Sequence, residues 1–319
     1  MRILVIGGTG HIGSYLVPTL VNLGWDVTVV SRQAQPRYAS PKIAWPAVKW
    51  VLADRKAEQA AGTWASRMAS LEADVVIDTI AYTTEETQLM INAFAGRIDH
   101  YICIGSIWAY GTPEQVPYEE HFIRRPLSPY GQQKADIESQ LRKAWIRDGF
   151  PATVVHPGHI SGERWLPIDP QGSRNGVEVY RRLATGQPVK ILGDGSATLH
   201  HVHSQDITDL IVKAILNRSA ALGECFSAVA PYAMSLKGCC RAVARLFGQE
   251  PNIEYVNDQG LIDDIGEKAA SIAIDHARHS PYSSIAKGQR LLGHTPHYTT
   301  EMIYAQSITY LIESGQLVI

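Results

Sequence analysis

The chain begins with a short apolar run, Arg2-Ile-Leu-Val-Ile6, and comparable runs recur at 26–30, 48–52, 74–79, 100–105 and 152–156. Runs this short and this apolar, with helical or irregular stretches between them, are the pattern of strands covered on both faces, and the alternation predicts a doubly wound parallel α/β sheet. After Gly13 the apolar positions keep a helical period as far as Leu23, with Pro18 expected to kink that helix or cost it a backbone hydrogen bond. Past residue 160 the pattern changes to Gly, Pro and Arg, through Gly162-Glu-Arg-Trp165 and Pro167-Ile-Asp-Pro-Gln-Gly172, which predicts a loop-rich second lobe. Asp206–Leu216 is helical in period and Glu224–Val229 reads as one more strand, so the chain is expected to return to its first lobe there.

Between the first strand and first helix stands Gly7-Gly-Thr-Gly-His-Ile-Gly13, which contains Gly8-x-Gly10-x-x-Gly13. Missing side chains permit a sharp turn and let a pyrophosphate reach the amides at a helix N-terminus. Strand, glycine turn and helix in that order supply the context such a motif needs. The expected organisation is a Rossmann-type dinucleotide-binding domain over 1–160 with returning segments near 201–230. Residues 161–319 form mainly a smaller, interleaved substrate-binding lobe.

A second motif lies in the last crossover. Ser128 and Pro129 read as an N-cap and a first-position proline, which puts Tyr130 in the opening turn of a helix and Lys134 one turn further along on the same face. A phenol has a pKa near 10, so making it a base at neutral pH takes about 4 kcal/mol of preferential phenolate stabilisation, and a neighbouring ammonium is one source.

Charge narrows the partners. Lys and Arg number 29 against 31 Asp and Glu, a net charge of -2, so neither nucleic acid nor a membrane surface is an expected partner. No apolar leader or spanning segment is evident, and the protein is read as cytoplasmic. The four cysteines, at 103, 225, 239 and 240, lack paired metal spacing and are expected to be reduced and buried. His201 and His203 would share a strand face beside His200, but no carboxylate or thiolate is spaced to join them, so no metal is expected.

With the glycine turn, the Tyr-Lys pair and the strand series together, the chain resembles the extended short-chain dehydrogenase/reductase family, often labelled NAD-dependent epimerase/dehydratase. The likeness spans nearly the whole chain. It includes Gly105-Ser106-Ile-Trp-Ala-Tyr110-Gly111, where the family places a catalytic Ser or Thr four residues before Tyr-Gly, then Gly193-Asp-Gly195 leading into Val202-His203-Ser-Gln-Asp206, and a closing Lys287-Gly-Gln-Arg-Leu-Leu-Gly293. The resemblance implies an NAD(P)-dependent oxidoreductase with Ser106, Tyr130 and Lys134 as catalytic residues. Tyr130 would exchange a proton with a substrate oxygen during hydride transfer, Ser106 would hydrogen-bond that oxygen, and Lys134 would hold the cofactor ribose. It also implies cofactor contacts from Gly7, Thr9, Gly10, His11, Ile12 and Gly13, from Asp54 and Arg55 at the adenine edge, from Thr79, Ile80 and Ala81, and from Pro157, Gly158 and His159. Tyr82, Trp108 and His159 are candidate substrate contacts. A homodimer is implied by analogy alone.

Cofactor choice is read at the end of the second strand. An NAD-selective site has an acidic residue there, whereas this chain has Ser31 and Arg32, suited to a 2′-phosphate, so NADP(H) is favoured over NAD(H). Two departures bear on substrate. Sugar-nucleotide members carry an Arg-x-x-Asn element after the sixth strand, where this chain has His156-Pro-Gly-His159, and an arginine after the Gly-Asp-Gly turn, where it has Leu199. The favoured function is therefore hydride transfer between nicotinamide and a small-molecule carbonyl or alcohol. The alternatives are a nucleotide-sugar epimerase or dehydratase that keeps its dinucleotide bound, and a non-catalytic dinucleotide sensor or RNA-associated protein on the same fold.

Overall fold

The structure is a computed structural model and describes residues 1–36, 38, 45–112 and 114–319. Six of its strands and five helices precede the second lobe: β1 (Arg2–Ile6), α1 (His11–Asn22), β2 (Asp26–Ser31), β3 (Lys49–Leu52), α2 (Arg55–Ala60), α3 (Trp64–Ala69), β4 (Val75–Asp78), α4 (Thr84–Phe94), β5 (His100–Ile104), α5 (Pro129–Asp148) and β6 (Ala152–Pro157). Cys225–Ala228 adds a seventh strand beyond β6, giving one parallel sheet in the order 225–228, β6, β5, β4, β1, β2, β3. Each expected strand is present to within two residues at either end.

The register explains where a site can form. Ile6 pairs with Val30 on one side and with Asp78 on the other, so the carboxyl ends of β1, β2 and β4 are level. Strand order reverses between β1 and β4, and the crevice above such a reversal is where open α/β sheets bind ligands. The loops that leave this edge carry Gly7, Arg32, Thr79 and Ser106.

Both sheet faces are covered, as the apolar strands require. One face packs Val5, Val29, Ile77 and Ile102 against Leu16 and Leu20 of α1 and against Ile207 and Ile211 of the helix Ser204–Leu216. The other packs Leu4, Val76 and Tyr101 against Trp64, Met90, Phe94, Ile137 and Leu141. Pro18 lies inside α1 without ending it. A separate core joins Tyr180, Leu183, Leu199, Leu236, Cys239 and Tyr304. All four cysteines are buried and unpaired, and among the described residues no helix is long and apolar enough to cross a membrane.

Candidate active site at the carboxyl edge of the sheet

The glycine turn is dictated by space. Gly7 has φ +82°, and a Cβ there would sit 2.4 Å from the Thr79 hydroxyl. At Gly13 a Cβ would lie 2.0 Å from the Gly8 carbonyl oxygen, so only glycine lets the helix start so close to the strand. The first turn of α1, from the N-cap Gly10 through His11, Ile12 and Gly13, faces the crevice with its backbone donors lacking intrahelical partners. His11 is tied back by its ring, Nδ1 lying 2.7 Å from the Ser204 hydroxyl and Nε2 3.3 Å from the Glu163 carbonyl.

Beside this turn is a cavity of about 450 Å3 lined by Gly7, Thr9, Gly10, Ser31, Arg32, Asp54, Arg55, Lys56, Ile80 and Tyr82, among others. Ser31 donates to the Gln33 carbonyl at 2.6 Å, and Asp54 caps α2 by accepting the Ala57 amide. Arg55 is committed elsewhere. Its guanidinium makes a two-pronged pair with Asp78, at 3.0 and 2.8 Å, with both side chains buried and Tyr101 donating to the same carboxylate. That pair braces the strand ends, so Arg55 does not offer the cavity the free cation its position suggests. Lys56, one residue on, does line the cavity, and sequence reasoning missed it. A glycine cradle at one end and Arg32 and Lys56 at the other fit a dinucleotide. The glycine turn and helix N-terminus would hold its pyrophosphate.

At the far end of the crevice the Tyr-Lys pair is folded as its local sequence requires. Ser128 Oγ accepts the Gly131 amide at 3.1 Å, Pro129 opens α5, and Tyr130 follows. Lys134 is 2% exposed, and its ammonium donates to the Ala81 carbonyl at 2.7 Å and the Ile104 carbonyl at 2.8 Å. Two of its three protons are thus committed to the loop after β4 and the end of β5. It lies 4.9 Å from the centre of the Tyr82 ring and 5.8 Å from that of Tyr130.

Ser106 caps the short 3-10 turn Ile107–Ala109, accepting the Trp108 amide at 3.2 Å, and its side chain lies near the Tyr130 phenol. Three elements therefore bring Ser106, Tyr130 and Lys134 together. Desolvation nevertheless holds the Tyr130 pKa above the ordinary phenol value, and the nearby Ser106 hydroxyl only opposes that. Burial likewise lowers the Lys134 pKa, against the fields of Cys103, Asp78 and Glu86. The depression of the phenol pKa that a neutral-pH base needs is not present in the protein alone.

A family model for the NAD dependent epimerase/dehydratase family matches residues 3–227. This chain belongs to that family. Membership places it among dinucleotide-dependent oxidoreductases and epimerases of the extended short-chain type. It is 27% identical over 220 residues to 2'-dehydrokanamycin reductase of Streptomyces kanamyceticus, a match covering 69% of this chain but only 59% of that protein. It is 25% identical over 329 residues to the chloroplast stem-loop binding protein of 41 kDa b of Arabidopsis thaliana, covering 99% of this chain and 80% of the relative. In fold it resembles the UDP-glucuronic acid 4-epimerase of Bacillus cereus, solved with UDP-glucuronic acid and NAD, at a TM-score of 0.73 and 18% identity over 98% of this chain and all of that one.

Against the epimerase/dehydratase pattern, Leu199 is fully buried in the second-lobe core and pairs with Met234, so it presents nothing to a phosphate. The histidines of this region are also interior. His200 Nε2 bonds the Ala230 carbonyl, His203 Nε2 bonds Gln306, and His203 stacks on Tyr298 at 3.7 Å. Gly158 fits beneath the His200 carbonyl, where a Cβ would lie 2.3 Å from the oxygen.

His159 differs, because it is 7% exposed and neither ring nitrogen has a hydrogen-bond partner among the described residues. Its ring meets Trp108 at 5.1 Å and His276 at 4.8 Å, and Trp108 stacks on His279 at 4.3 Å. His276 and His279 reach this cluster from the helix Glu267–His279, which no local motif marks. Among the described residues the group best disposed for a metal is Glu138, His156 and Cys225, with donor atoms within 4.8 Å of one another. Arg124 already donates to Glu138 and Cys225, filling the cation's role.

Proposed function

We propose that the protein is an NADP(H)-dependent oxidoreductase that transfers hydride between nicotinamide C4 and a small carbonyl or alcohol substrate. The observation that carries this reading is the convergence of Ser106, Tyr130 and Lys134, with the Ser106 side chain near the phenol and the ammonium fixed on two carbonyls. In reduction, Tyr130 gives its proton to the substrate oxygen while Ser106 donates a hydrogen bond to the same atom, stabilising charge as it develops. Lys134, with one proton left to donate, holds a ribose hydroxyl and stabilises the phenolate that remains. The cofactor supplies or accepts the hydride.

Arg32 and Lys56 support NADP(H), since both line the cavity at the end of β2 and neither has a carboxylate partner among the described residues. A buried Leu199 speaks against a nucleotide diphosphate in the substrate. The unpartnered nitrogens of His159, beside Trp108, speak for a polar, hydroxyl-bearing one. The likeness to 2'-dehydrokanamycin reductase agrees with net reduction, and the net charge of -2 argues against the RNA-associated reading suggested by the stem-loop binding relative. With this reading go a cytoplasmic homodimer and a substrate lobe drawn mainly from 161–319.

The test is a turnover screen across ketones, aldehydes, free sugars and nucleotide sugars, read by nicotinamide absorbance and product analysis. Oxidised cofactor released in proportion to product supports the proposal. Epimerised product with no net cofactor turnover would replace it with the epimerase reading.

A further inference from the structure

Helix α5 carries a third side chain at the spacing of Tyr130 and Lys134. Glu138 follows Lys134 by four residues and Tyr130 by eight, so one stripe of the helix holds all three. Arg124 grips the Glu138 carboxylate with both prongs, Nε at 2.9 Å and Nη2 at 2.7 Å. The same carboxylate meets His156 Nε2 at 2.9 Å. Across the ring, His156 Nδ1 lies 3.0 Å from both the amide nitrogen and the carbonyl oxygen of Ser106. With the Nε2 proton donated to Glu138, Nδ1 accepts the Ser106 N–H.

The ring has no room to move. His156 is completely buried, and Gly105 has no side chain where a Cβ would stand 2.4 Å from Nδ1. Burial alone would raise the Glu138 pKa, but the contacts with His156 and Arg124 override it and hold the carboxyl well below its usual range. The cluster therefore keeps a charged, fully bonded anchor on the helix that bears Tyr130.

Ser106 and Tyr130 must hold one substrate oxygen from different elements, and a misplacement of about 1 Å can cost a hundredfold in rate. We propose that His156, clamped between Glu138 and the backbone of Ser106, is a positioning residue that fixes the Ser106 hydroxyl relative to Tyr130. The circuit is closed: α5 carries Tyr130 and Glu138, Glu138 orients His156, and His156 holds the Ser106 turn. This role rests on the hydride-transfer reading, and His156 touches neither substrate nor cofactor in it.

The test is a double-mutant cycle. His156→Ala and Glu138→Gln are measured alone and on a Ser106→Ala background, with a substrate found by the screen. His156→Ala should lower kcat by about 30-fold, and Glu138→Gln by about tenfold, with KM and cofactor Kd within about twofold. On the Ser106→Ala background either change should cost less than about threefold more, because its effect passes through Ser106. His156→Gln, which keeps a donor and an acceptor, should recover part of the loss and replaces His156→Ala if that variant fails to fold. Crystal structures of wild type and variant should show the Ser106 hydroxyl displaced by about 0.5 Å or more.

Losses that multiply fully on the Ser106→Ala background, or a folded variant with wild-type kcat and an unmoved Ser106, would overturn the proposal. Full turnover by Tyr130→Phe would instead sink the hydride-transfer reading itself.

Discussion

Lowering the pH should unfold this protein abruptly, well above the range in which carboxylates titrate. Burial lowers the pKa of His11, His100, His200, His203, His276 and His294 from 6.5 to about 4, and that of His201 to about 3, while His159 is also pushed well below 6.5. All are less than a tenth exposed. A group whose folded pKa is depressed contributes fully above its unfolded pKa, and for these rings that contribution is lost as pH falls through 6.5 towards 4, because the unfolded chain binds the protons first.

At pH 5 each ring with a folded pKa near 4 has surrendered about 2 kcal/mol relative to neutral pH. The six such rings together forfeit on the order of 10 kcal/mol, which matches the whole stability of an ordinary domain at about 5–15 kcal/mol. Circular dichroism with urea titrations from pH 8 to pH 4 at constant ionic strength would measure this. The expected result is a midpoint between about pH 6 and pH 5 with several protons taken up on unfolding. Stability unchanged down to about pH 4.5 would refute the claim that these imidazoles are held neutral by burial.

Lys134→Met should fail in two ways. It removes the ammonium bonded to the Ala81 and Ile104 carbonyls, costing about 1–3 kcal/mol per orphaned acceptor in a melt, and it removes the cation beside Tyr130, so turnover should fall with stability. Arg32→Ala should weaken NADPH binding by about tenfold or more in a fluorescence titration while NADH changes by less than about twofold; equal losses would mean Arg32 does not read the 2′-phosphate. Because the Tyr130 pKa is raised, carbonyl reduction should hold level through neutral pH and decline only above the ordinary phenol range. Alcohol oxidation, which needs the phenolate, should rise with pH in stopped-flow traces at fixed cofactor saturation.

The sheet was legible because each central strand is covered on both faces and so reads as an uninterrupted apolar run, from Arg2–Ile6 to Cys225–Ala228. The glycine turn and the Ser128-Pro129-Tyr130 helix start were legible because steric need and capping are local rules. What stayed hidden depends on contacts distant in sequence. The capture of Arg55 by Asp78 is 23 residues distant, and the clamp of His156 on Ser106 spans 50. The sign of the Tyr130 shift was also out of reach, since desolvation sets it and helical spacing does not show desolvation. Glu138 had a visible signal, being the next step of the Tyr130-Lys134 stripe.

The most direct test of the central claim compares wild type with Tyr130→Phe in carbonyl-dependent NADPH oxidation, with cofactor affinity measured on both. The site described here requires turnover to fall by at least about a hundredfold, with NADPH affinity within about twofold, since only the proton donor is lost. Undiminished turnover in Tyr130→Phe would contradict it.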